Sequence, residues 1–187
     1  MIGLKRGTVK LIPHQMIWEK EAEKTTILLK SILKDVAVDI QHVGSTAVRT
    51  ISAKPIIDIA VGLEDINNIK PYMESLQKNE IVFRGEDVQG QLLFVMGDFE
   101  NDIRTHHIHI VKWDSVDWNN YINFRDYLNA SPEYAKQYDD LKKKLAVSFY
   151  DNRASYTAGK QTLISLLLKR AYLWRTEENQ KMDNIKT

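Results

Sequence analysis

Hydrophobic positions along this chain follow two rhythms, and the change from one to the other marks its organisation. Ile17, Ile27, Leu28, Ile32 and Leu33 fall on one broad helical face, with Glu19, Lys20, Glu23, Lys24 and Lys30 on the other, which predicts an amphipathic helix. From Val36 to Val43 the period drops to two, so Val36, Val38, Ile40 and His42 share one face of a strand that ends at Gly44. A polar loop of small residues fills 44–53. Ile56 to Val61 then reads as a central strand buried on both faces, with Asp58 its one charge. Asp65 or Asn67 is placed to cap a helix running to about Lys78, with Ile66, Ile69, Met73 and Leu76 as its stripe. Ile81–Phe83 and Leu92–Met96 are short strands around a turn, RGEDVQGQ, and Arg104 to Lys112 is the last strand.

After Lys112 the pattern is helical only. The expected helices run from Ser115 to Leu128, from Ser131-Pro132 to about Tyr150, and from Asp151 or Asn152 to about Trp174. Residues 176–187 are polar and expected to fray. The fold class is therefore α+β: a mixed sheet of α/β type with flanking helices and a C-terminal helical unit. We expect a single domain over 1–187, with the sheet in 1–112 and the helical subregion in 113–175.

Composition narrows the function. The chain has 187 residues and a net charge of +1, without the basic excess typical of general nucleic-acid or membrane-surface binders. A small-molecule partner is expected instead. The absence of cysteine excludes disulfides, thiolate zinc sites and a Cys nucleophile, and fits a cytoplasmic location. Neither a signal sequence nor an apolar run of membrane-spanning length is visible.

Three segments put polar groups where a core would prefer apolar ones. His42-Val43-Gly44-Ser45-Thr46 closes a strand with a glycine turn that lets backbone N–H groups approach an anion, and the Ser45 and Thr46 hydroxyls add donors. In Lys54-Pro55-Ile56-Ile57-Asp58, an isolated carboxylate in an apolar strand needs a cation, a metal or a hydrogen-bond donor beside it. Arg104-Thr105-His106-His107-Ile108-His109 carries three of the five histidines. Alternation puts His107 and His109 on one face, able to share a metal, and Arg104 and His106 on the other, where Arg104 could grip a phosphate. Glu86 and Asp87 read as a solvated turn unless that turn folds towards Asp58.

These words together, HVGSTAV (42–48), AKPIIDIAVG (53–62), RGED (84–87), RTHHIHIV (104–111), FRDYL (124–128) and YTAGK (156–160), resemble the GrpB family along about Trp18 to Leu168. The resemblance implies a nucleotidyltransferase-like sheet with an NTP as substrate and a divalent metal as cofactor. Gly44 and Ser45 would grip the triphosphate, and Asp58 would be the first of the metal-binding acids. Three departures accompany it. Ala60 stands where a second acid belongs, His107 and His109 occupy a later strand where a further acid is expected, and Arg49 and Thr50 stand in the region of the family's usual proline-glycine after the GST word. Histidine ligands shift the metal from Mg²⁺ towards Mn²⁺ or Zn²⁺.

The expected assignment follows. Asp58, Glu86 and His109 hold metal. Lys54 or Arg104 stabilises the transferring phosphate, and His107 is the general base. Gly44, Ser45 and Thr46, with Lys142 or Lys160 from the helical unit, hold the nucleotide. Two rival expectations remain open: a phosphate- or nucleotide-binding module without catalysis, and a metal hydrolase built on His42, His107, His109 and Asp58.

Overall fold

The computed structural model describes residues 1–186, apart from the side chains of Asp87, Asp183, Ile185 and Lys186. Its strands are β1 (Leu4–Lys5), β2 (Ala37–Val43), β3 (Ile57–Leu63), β4 (Val82–Val88), β5 (Gln91–Met96), β6 (Ile103–Arg104) and β7 (His106–Lys112). Its helices are α1 (Met16–Leu33), α2 (Met73–Lys78), α3 (Val116–Ala130), α4 (Pro132–Ser148) and α5 (Arg153–Lys186), with 3-10 turns at Ser45–Ala47 and Ile66–Tyr72. The main sheet has the order β2-β3-β7-β5-β4, and β1 and β6 form a separate antiparallel pair. Only β3 and β7 run parallel, and both are interior. This is the mixed-sheet α+β architecture that the sequence pattern predicts.

Burying β3 on both faces explains its composition. Ile57, Ile59, Val61 and Leu63 join the core beneath α1, where Trp18, Ala22, Leu29 and Leu33 pack on them. On the opposite face Ala60 meets Val43, Val111 and Trp118 of α3. A third cluster joins Val48 and Ile51, in the loop before β3, to Tyr127, Leu128, Tyr138 and Leu167 of the three C-terminal helices. The loop after β2 is thereby clamped between the sheet and the helical unit.

The structure corrects four sequence expectations. The buried stripe of α1 is Trp18, Ala22, Thr25, Leu29 and Leu33, whereas Ile17 and Ile27 are exposed. Thr25 belongs to that stripe because its hydroxyl is joined to His106 Nε2 at 3.1 Å. RGED is not a turn: Arg84 to Asp87 lie within β4, and the hairpin reverses at residues 89 and 90, with Gly90 in positive φ. The last strand is two strands. Arg104 ends β6, paired with Leu4 of β1, and the main-sheet strand starts afresh at His106. Finally, α5 continues through 176–186 instead of fraying near Trp174, and Thr187 lies outside the described residues.

Candidate active site

Register decides which polar side chains meet. Parallel pairing sets Asp58 opposite His107 and Ala60 opposite His109, so strand alternation sends Asp58, His107 and His109 to the face that the C-terminal helices cover. His107 Nδ1 lies 3.1 Å from Asp58 Oδ1, and His109 Nε2 lies 3.9 Å from the same oxygen. Burial alone would push the Asp58 carboxyl up. The hydrogen bonds and charge of the two imidazoles outweigh it and hold the group well below the usual carboxylate range. The neighbouring histidine, His106, points the other way into the core beneath α1, where burial lowers it to about 4.

β2 delivers the Gly44 loop to the same end of the sheet, because Val43 pairs with Asp58. Gly44 has φ 70° and ψ −169°, and a Cβ built there would stand 2.4 Å from Asp58 Oδ2. Only glycine fits, for its backbone conformation and for its lack of a side chain. Ser45 and Thr46 line the resulting cleft. The Thr46 hydroxyl is also tied to His42 Nε2 at 2.9 Å, and Ser45 hydrogen-bonds Tyr138 of α4. Burial raises the Tyr138 phenol to about 12, although that bond pulls the other way.

The helical unit closes the cleft, whose volume is about 480 Å³. Its walls include Lys54 from the loop before β3, Lys142 from α4, and Arg153, Tyr156 and Lys160 from the first turns of α5. Lys54 Nζ sits 5.4 Å from the centre of the Tyr156 ring and Lys160 Nζ 4.6 Å from it. Burial, followed by repulsion from Arg153 and Lys160, lowers Lys54 to about 8. Lys142 differs: only 1 % exposed, it donates to the Ser52 carbonyl and lies 3.8 Å from Asp139. Asp139 in turn accepts from Ser52 N–H at 2.7 Å. Lys142 thus ties α4 to the loop before β3, although it also lines the cleft.

The sequence pattern does not single out Arg153, Gln91 or Tyr121, whose hydroxyl donates to Gln91 Oε1 at 2.9 Å. The one available signal is YTAGK, which places Tyr156 four residues, about one helical turn, before Lys160.

Three expected site residues lie elsewhere. Arg104 pairs with Asp102 at 3.2 Å and covers the Phe99 ring, away from the cleft, because it belongs to the β1–β6 ribbon. Glu86 is exposed on β4 and accepts from Gly90 N–H at 2.5 Å. The Asp87 side chain lies outside the described residues. His42 opposes Ile59 in the register, so it faces the α1 side, away from the cleft floor formed by Asp58. The set His42, His107, His109 and Asp58 does not converge, which removes the metal-hydrolase expectation.

The donor set also argues against a two-metal centre. Among the described residues Asp58 is the one carboxylate paired with the histidines, its Oδ1 faces both imidazoles, and Ala60 stands opposite His109 where the resemblance would place a second acid. Glu86 adds nothing there. Among the described residues no group of three or more His, Asp or Glu is arranged to hold a metal ion. Nor is any described helix long and apolar enough to cross a membrane.

Comparison with known proteins agrees with the resemblance. A family profile described as GrpB protein matches residues 8–170. The Glutamate-rich protein GrpB of Alkalihalophilus pseudofirmus is 37% identical over 171 residues, spanning 90% of this chain and 98% of that one. YqkA of Bacillus subtilis is 30% identical over 95% of this chain, which spans 51% of that longer protein. Among solved structures, GrpB from Enterococcus faecalis superposes with a TM-score of 0.80 at 31% identity, covering 87% of this chain and 96% of that one. The chain belongs to the GrpB family.

Proposed function

We propose that the cleft binds a nucleoside triphosphate and transfers its nucleoside monophosphate to an acceptor hydroxyl. The observation that carries this reading is the Asp58–His107 pair at the floor of a cleft walled by Lys54, Arg153 and Lys160. With Nδ1–H directed at Asp58 Oδ1, the tautomer of His107 is set and Nε2 keeps its lone pair. Nε2 takes the acceptor's proton as the acceptor oxygen bonds to the α-phosphorus, and the bond to pyrophosphate breaks. Asp58 positions the imidazole and stabilises its charged form. The cleft's apolar walls, Ile56, Phe124 and Ile164, give a base somewhere to lie out of water.

The test uses NTP labelled at the α-phosphate, the purified protein and a fractionated extract as the source of acceptor. Label should enter an acceptor with release of pyrophosphate, and His107→Asn should slow both by about 10²–10⁴-fold. A second reading is favoured by Ala60: a nucleotide-binding module that does not turn its ligand over. NTP binding by the wild-type protein with neither label transfer nor pyrophosphate would establish that reading in place of the first.

A further inference from the structure

We infer that this site neutralises a polyphosphate with its own side-chain cations and binds it without a divalent metal. The inference rests on the nucleotide-binding reading above and concerns how that ligand's charge is met. Among the described residues four side chains lining the cleft are cationic, Lys54, Lys142, Arg153 and Lys160, against two carboxylates, Asp58 and Asp117. Lys142 is committed to Ser52 and Asp139. The other three have no ion pair and donate no hydrogen bond to any described residue, although their charges act on one another: Arg153 and Lys160 both repel Lys54, and Arg153 repels Lys160.

Such an arrangement is costly in the empty protein. Two ammonium groups share one tyrosine ring, partly stripped of water, beside a guanidinium. Asp58 attracts Lys54 and Lys160, but its carboxylate is already engaged by two imidazoles. A ligand with several negative oxygens removes the conflict, since each cation gains a partner and the mutual repulsion is screened. A divalent metal in the same space would add positive charge to three cations that lack ion pairs, while finding two carboxylates, of which Asp58 is already engaged by two imidazoles. The disagreement between this donor set and a metal centre is therefore resolved on the cationic side: Lys54, Arg153 and Lys160 do what carboxylate-bound metal would do elsewhere.

The experiment is titration calorimetry with sodium tripolyphosphate and, separately, ATP, each in EDTA and in excess Mg²⁺ or Mn²⁺. The proteins are the wild type, Arg153→Gln and Lys160→Gln, with circular dichroism confirming that each variant is folded. We expect wild-type affinity for tripolyphosphate in EDTA to be equal to or tighter than that with metal, and at least tenfold weaker in each variant. Affinity that appears only with metal, or that rises tenfold with it, overturns the inference and leaves the nucleotide reading standing. Metal-free binding of tripolyphosphate without binding of ATP supports the inference and removes the nucleotide reading. Equal affinity in wild type and both variants overturns the inference whatever the metal, and no binding of either probe in any buffer overturns both.

Discussion

Replacing Gly44 by alanine tests the geometry at the point where the loop meets Asp58. Two costs arise from separate causes. At φ 70° and ψ −169° the backbone occupies a region almost restricted to glycine, worth about 1–3 kcal/mol for any other residue. The new methyl would also stand 2.4 Å from Asp58 Oδ2 and 2.9 Å from Asp58 Cβ, so the carboxylate must shift, at an overpacking cost of about 1–3 kcal/mol. Together the loss is about 2–6 kcal/mol, which lowers a urea midpoint by about 1–3 M at a slope of about 2 kcal/mol/M. The assay is equilibrium urea unfolding of wild type, Gly44→Ala, Asp58→Ala and the double variant. Because Asp58→Ala removes the carboxylate, the double mutant should recover part of the packing cost and none of the backbone cost, leaving a coupling of about 1 kcal/mol between the sites. A Gly44→Ala protein within about 0.5 kcal/mol of wild type would refute the reasoning, since neither cost could then exist.

Other predictions follow from the same structure. His107→Asn should lower the transfer rate by about 10²–10⁴-fold, whereas unchanged kinetics would exclude a general-base role. Lys142→Ala should cost about 3 kcal/mol of stability in urea, since it strips a buried partner from Ser52 and Asp139, with less effect on tripolyphosphate affinity than Lys160→Gln has. The opposite ranking would make Lys142 a ligand-binding residue instead. Stability should fall as pH drops from 6.5 to about 4. There His42 and His106 take up protons in the unfolded chain, but burial keeps them neutral in the folded one. Urea midpoints that stay flat over that range would contradict this. Binding of a polyanion at pH 8 should draw protons onto Lys54, which burial and neighbouring cations hold at about 8. Calorimetry in buffers of different ionisation enthalpy reads that uptake, and identical heats would count against it.

Period and punctuation reveal the sheet of this protein more readily than its site. Alternation in HHIHIV puts His107 and His109 on one face, and a single charge in IIDIAV marks Asp58, because strand faces are fixed by parity. Parity fails where a strand stops and restarts: Thr105 separates Arg104 from His106, so Arg104 follows a different ribbon from the one its spacing suggests. Glycine misleads in RGED, where Gly85 is a strand irregularity in β4 and the reversal comes four residues later. Of the α5 cations the sequence singles out Lys160 and passes over Arg153, for another reason. Arg153 resembles any solvated helix charge until Tyr156 and Lys54 are seen in the same cleft, and that proximity depends on how α5 docks, which no local pattern records.

The first turns of α5 hold the cations and the tyrosine, while the Asp58–His107 pair belongs to two neighbouring strands deep in the sheet. On the proposed reading, ligand preference and reactivity are thus written on separate parts of the molecule. On that reading, substitutions at 153, 156 and 160 would retune which guest is accepted while leaving the pair beneath in place, so descendants of this scaffold could diversify by editing a single helical rim.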